Sequence, residues 1–180
     1  MGPVVDLGCG HGLLSLALAA SSADREVLGL DIDEAKLTAA RIAARPTPTL
    51  DNVRFASADP HEPCPGTPAA ICVVDVLYLL ERPHQEALVR SLARRLAPNG
   101  RLVIKEMAPT PRWKHRWMQA QELLATRVAR ITASEDGALS YTPPATLGGW
   151  MRDEGLVVAE RAVDHGLPYP HHLIVGTAPG

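Results

Sequence analysis

The chain has 180 residues, 46% of them hydrophobic and 21% charged, with a net charge of −2. That is enough for one domain with its own core, and the charge balance offers no broad basic surface for nucleic acid. No apolar run is long enough to span a membrane, no basic-then-apolar leader is visible, and Cys9, Cys64 and Cys72 lack metal-ligand spacing. Sparse, unpaired cysteines point to free thiols in a reducing, cytoplasmic setting.

In chain order, Pro3 to Leu7 is a short apolar run ending at glycines and predicts a buried strand. Gly12 to Ala20 is rich in leucine and alanine and predicts a helix. Glu26 to Asp31 reads as a second strand, and Asp33 as the cap of a helix over Glu34 to Ala44. Val53 to Ala56 and Ala69 to Val76 read as strands three and four. Pro83 precedes an amphipathic helix from His84 to Leu96, and Pro98-Asn99-Gly100 turns the chain into a fifth strand, Arg101 to Lys105. Alternating strands and helices imply a parallel sheet covered on both faces.

The ending differs. Residues 142 to 154 read as a helix, with Thr142 as cap and Pro143-Pro144 in its first turn. Leu156 to Val163 and His172 to Thr177 read as strands joined by only eight residues. That is too short for a crossover helix, so the pair is expected to be antiparallel.

Asp6-Leu7-Gly8-Cys9-Gly10-His11-Gly12 joins the first strand to the first helix. Glycines let such a turn bend sharply and approach a ligand closely. The dinucleotide fingerprint needs its third glycine where Leu13 stands, so the spacing departs from a pyrophosphate loop. A carboxylate at Asp6 repels a diphosphate and favours a cationic ligand.

Asp-x-Gly-x-Gly-x-Gly after a strand resembles the first motif of class I S-adenosylmethionine-dependent methyltransferases. The resemblance extends to Asp31-Ile32, to Phe55 to Asp59, to Asp75 to Leu80 and to the turn and strand over Leu96 to Ile104. It implies an α/β, Rossmann-like fold. The mostly parallel seven-stranded sheet carries helices on both faces and ends in an antiparallel hairpin. It further implies that S-adenosylmethionine is held by Asp6, Gly8, Gly10, Asp31, Ile32, Asp59 and Asp75. In that scheme Asp31 accepts from the ribose diol, Ile32 packs on the adenine, and Asp59 accepts from the adenine amino group. Asp75 and Tyr78 sit beside the transferable methyl. Members of the family have helices before the first strand, which here starts at residue 3. The expected cover therefore comes from a longer start or from elsewhere, a homodimer being one source.

The fourth motif lacks the Asn/Asp-Pro-Pro-Tyr-like form of amine methylation, which favours small or lipid-like oxygen or carbon acceptors over nucleic acid. Ligands of such sheets bind beyond the carboxyl ends of the strands, which points to Asp75, Tyr78, Lys105 and Glu106. Tyr169 and His171 lie in a proline-flanked turn, with Tyr169 lining the acceptor pocket and His171 as a base. The chain reads as one domain over 1–180, with 106–141 as a substrate-side insert or lid. On a helix over residues 112–131, Trp113 and Trp117 begin an apolar face that covers the acceptor, beside a stripe of Arg112, Arg116, Arg127 and Arg130. That stripe suits an anionic head group, an acidic carrier protein or a membrane surface. Two other readings share the fold: an inactive partner subunit and a nicotinamide-dependent oxidoreductase.

Overall fold

The computed structural model describes residues 2–45, 50–58, 64–107, 139–163 and 170–180. Five strands and three helices follow in the order β1 (Val4–Leu7), α1 (Leu13–Ala20), β2 (Val27–Asp31), α2 (Glu34–Ala44), β3 (Val53–Ser57), β4 (Ala70–Val74), α3 (Arg82–Arg94) and β5 (Arg101–Met107). Helix α4 (Pro144–Asp153) and strands β6 (Val157–Ala162) and β7 (His171–Thr177) follow. The strands form one sheet in the order β3-β2-β1-β4-β5-β7-β6. Strands β1 to β5 pair in parallel, whereas β7 runs antiparallel to both β5 and β6. The expected fold and its hairpin ending are therefore both present. The order reverses at β1, between β2 and β4, and such a switch point opens a crevice at the strands' carboxyl ends.

The main core lies where α3 and α4 cover the sheet. Val5, Leu7, Ile71, Val73, Leu102, Ile104 and Ile174 from the strands meet Leu88, Val89 and Leu92 of α3 and Leu147, Trp150 and Met151 of α4. Arg90 ties the two helices together by pairing with Asp153 (2.8 Å) and Glu154 (3.1 Å).

Two helix starts differ from expectation. Helix α3 takes Pro83 into its first turn instead of following it. A proline there loses no hydrogen bond, because the first-turn N–H groups have no helical partner. Thr142 does not cap α4: Pro143 stands at that position, and the buried Thr142 Oγ1 has no hydrogen-bond partner among the described residues. Asp33 caps α2 as expected, its carboxylate accepting from the N–H groups of Ala35 (3.0 Å) and Lys36 (3.2 Å).

Phe55, the single phenylalanine, fills the space beside the glycine loop. A Cβ added at Gly12 would lie 2.7 Å from the Phe55 ring and 2.8 Å from Ala40 Cβ. Gly12 also adopts φ +79°, in the left-handed region. Gly12→Ala is expected to destabilise the fold by about 3 kcal/mol, combining left-handed strain with overpacking. Urea unfolding reads this directly, and Phe55→Leu in the same chain is expected to relieve only the ring's share of the overpacking, since the contact with Ala40 remains.

Candidate active site

The turn after β1 is fixed by β2. Gly8 N–H and Cys9 N–H both donate to Leu30 O, at 2.7 and 2.9 Å. Gly10 N–H donates to Asp31 Oδ2 at 2.7 Å, and Asp33 N–H to Asp31 Oδ1 at 2.9 Å. Asp31 thus pins the glycine loop and the start of α2 together. Each of its oxygens holds one N–H and retains acceptor capacity, which is what a diol requires. Ile32, next to it, is 67% exposed, and Leu13 beyond the loop is 83% exposed. Exposed apolar side chains of this size beside a polar loop are suited to a flat apolar ligand surface.

Asp6 is only 2% exposed, and its Oδ2 accepts from the Ser15 hydroxyl at 2.6 Å. Burial pushes its carboxyl above the usual range, and the charge of Asp31 adds to the rise. Asp6 thus sits bonded and buried behind the loop, a different setting from the open face of Asp31. Cys9 is half-buried, and burial with the charges of Asp6 and Asp31 pushes its thiol up to about 12. A group so hard to ionise is not a nucleophile.

Gly10 has φ +53° and nothing within 4 Å of the position a Cβ would take. Bare backbone therefore faces open space at the centre of the loop. Gly8 is held differently: its φ is +75°, and a Cβ there would run into Val76. That close approach brings the glycine loop against the segment after β4.

The segment after β4 begins with Asp75, at φ +55°, and continues through a 3-10 turn over Leu77–Leu79. Strand β5 holds it in place. Asp75 N–H donates to Lys105 O at 2.9 Å, and the Lys105 ammonium pairs with Asp75 Oδ2. His171 Nδ1 lies 4.0 Å from Asp75 Oδ1. The two chain ends meet because β7 is antiparallel to β5, which sets His171 opposite Met107. His171 was expected in the preceding turn; it is instead the first residue of β7. The carboxylate, ammonium and imidazole thus gather from three separate segments at the carboxyl ends of β4 and β5.

Tyr78 stacks on Tyr141, with ring centroids 5.7 Å apart and planes 12° from parallel. Ser140 N–H donates to Tyr78 O at 2.9 Å, and the Gln85 side-chain amide donates to Leu80 O (2.9 Å) and Ser140 O (2.7 Å). The fully buried Gln85 therefore joins the segment after β4 to the end of the insert. No motif singles out Gln85 or Tyr141 in the sequence.

Glu106 departs from expectation. It does not line the acceptor side: it is 4% exposed and accepts from Val76 N–H (2.9 Å) and Leu77 N–H (2.7 Å) through one oxygen. Strand alternation carries the reason. Leu102, Ile104 and Glu106 share the buried face, and Lys105 takes the other. Asp59, Trp113, Trp117 and Tyr169 lie outside the described residues, as do nearly all of the insert and its arginine stripe. Among the described residues, no group of three or more His, Cys, Asp or Glu is placed to hold a metal.

The fold, the switch point and a glycine loop pinned by an acidic residue define a class of protein, and comparison with known proteins names it. Residues 2–161 match the methyltransferase domain family. The chain belongs to that methyltransferase family, as the resemblance of its glycine loop and later motifs implied. One relative, the ubiquinone biosynthesis O-methyltransferase of Stutzerimonas stutzeri, is 28% identical over 158 residues, covering 87% of this chain and 65% of the relative. The chain thus spans about two-thirds of that protein's length. An O-methyltransferase family protein from Burkholderia thailandensis shares the fold with TM-score 0.78 and 20% identity, over 99% of this chain and 51% of that one. Magnesium protoporphyrin IX methyltransferase from Synechocystis PCC 6803, solved with bound SAH, shares it with TM-score 0.74 and 20% identity, over 97% and 73%.

The residues present fit the methyl donor. Asp31 offers acceptor capacity to a diol, Gly10 presents bare backbone, and two carboxylates near the loop favour a cation.

Proposed function

We propose that this chain transfers a methyl group from S-adenosylmethionine to a hydroxyl of a small or lipid-like acceptor in the cytoplasm, with carbon acceptors as the second chemistry. The observation that carries the reading is the Asp75, Lys105 and His171 cluster, set against the glycine loop through Gly8 and Val76. S-adenosylmethionine supplies an electrophilic methyl on a sulfonium. Much of the chain's work is then positioning and desolvation.

A hydroxyl acceptor must also lose a proton. We assign His171, whose Nδ1 lies 4.0 Å from Asp75 Oδ1, to receive that proton. Lys105 holds the other Asp75 oxygen and keeps the carboxylate oriented. The Tyr78 and Tyr141 stack gives the same side a flat aromatic flank, and the relatives' name, ubiquinone biosynthesis O-methyltransferase, favours a phenol-like acceptor. From their positions in the sequence we assign the acceptor-cover role to residues 106–141, with Trp113 and Trp117, and to Tyr169.

Two measurements test the reading. Calorimetry on the full chain is expected to show micromolar binding of S-adenosylmethionine. Incubation with methyl-labelled donor and a panel of phenols, quinols and apolar acids is expected to label a phenol. Donor binding with no labelled phenol or acid would overturn the acceptor class, and no donor binding would overturn the whole reading.

A further inference from the structure

We infer that Glu106 is a positioning residue for the proposed methyl transfer: its buried side chain seats the segment after β4 by filling a pocket of backbone N–H groups from behind. The inference rests on the reading above and concerns the part of the site that faces the acceptor. Asp75 is left-handed and Val76, at φ −121° and ψ −43°, returns to the right-handed side. Such a reversal turns successive N–H groups toward one point and makes an anion-binding concavity. The N–H groups of Val76 and Leu77 meet there on a single Glu106 oxygen. The next residues of the same segment are Tyr78 and Leu79, and its first residue, Asp75, lies 4.0 Å from His171. One buried carboxylate thereby fixes the segment that carries Asp75 and Tyr78.

A left-handed aspartate is a conformation the surroundings must impose. Strand β5 imposes it twice, through the Lys105 contacts with Asp75 and through Glu106. The charges acting on Glu106 are Asp75 on the segment and Lys105 on the opposite face of its own strand, with His172 its register partner on β7. Burial pushes the Glu106 carboxyl up to about 7, against the opposing pull of the Leu77 and Val76 N–H groups. The sign of the linkage follows. The unfolded chain ionises Glu106 near 4.5 and the folded chain near 7, so stability falls as pH rises through that window. The ionised form holds the segment more firmly, since hydrogen bonds to a charged acceptor are the stronger ones. Local order and global stability thus respond to this ionisation in opposite directions.

The test uses the full chain, isotope-labelled, between pH 5.5 and 8.5. In the wild type the Val76 and Leu77 amide signals and the Glu106 side-chain carboxyl carbon are expected to titrate together near neutral pH. Amide protection, corrected for intrinsic exchange, is expected to fall about fivefold on the acid side, the difference between a charged and a neutral acceptor. Binding of S-adenosylhomocysteine is expected to weaken by a similar factor, about fivefold, over the same range. Glu106→Gln keeps an acceptor oxygen and is expected to flatten all of these profiles. Amides that stay still while the Glu106 carbon titrates, or that titrate unchanged in Glu106→Gln, would overturn the inference. The carbon and amide signals need no variant, so they decide even where Glu106→Gln does not fold. Amides that titrate with Glu106 while S-adenosylhomocysteine affinity stays constant would reduce Glu106 to a structural clamp and overturn its positioning role. Absence of S-adenosylhomocysteine binding at every pH would overturn the methyl-transfer reading, and the positioning role with it.

Discussion

Asp31→Ala is expected to weaken S-adenosylmethionine binding by about 100-fold or more while leaving the chain folded. Two losses combine. The first is the acceptor set for the ribose diol, two hydrogen bonds to a charged group at about 1.5–3 kcal/mol each. The second is the pin that Asp31 places on Gly10 N–H, so the loop that faces the ligand becomes free to reorganise. The fold itself is expected to stand, because the backbone bonds from Gly8 and Cys9 to Leu30 do not involve that side chain. Calorimetry reads the affinity and circular dichroism checks the fold. Asp31→Asn separates the two losses, since its amide oxygen can keep one of the N–H partners. Unchanged affinity in Asp31→Ala would remove the residue from the cofactor site.

His171→Ala is expected to act on the other half of the reaction. Turnover of a hydroxyl acceptor is expected to fall about 100-fold or more, the usual contribution of a positioned general base. Donor affinity is expected to stay within about twofold, because His171 reaches Asp75 and not the glycine loop. Asp75→Asn is expected to lower turnover less steeply, through loss of orientation. A His171→Ala chain with full turnover would transfer the base role elsewhere and leave His171 a structural partner of Asp75.

The sequence pattern exposed the scaffold better than the acceptor side, and the residues show why. Strands such as Val4–Leu7 and Ala70–Val74 sit in the middle of a covered sheet, so their apolar runs are explicit. The short link before β7 correctly implied an antiparallel finish. Asp33 followed by good helix formers located α2 to the residue. Asp31 stood out because the glycine loop before it set a spacing for its role.

The acceptor side depends on contacts between segments far apart in the chain. Nothing local to Gln85 announces that its amide will bridge Leu80 and Ser140. Thr142 looked like a cap because threonine caps many helices, yet its hydroxyl is buried ahead of Pro143, unpaired among the described residues. Glu106 was misplaced for an avoidable reason: counting by twos from Leu102 puts it on the core side. A carboxylate on that side demanded a partner, and the strained segment after β4 provides it.

Cys9 sits within the glycine loop of a protein whose expected donor is an alkylating agent. A thiolate there would be a rival methyl acceptor, and modifying it would spoil the turn. Burial and two neighbouring carboxylates push the thiol up to about 12, so the neutral thiol dominates near neutral pH. The same acidic groups that suit the loop to a cation therefore protect it from self-alkylation. The loop can lie beside a reactive sulfonium through repeated turnovers without inactivating itself.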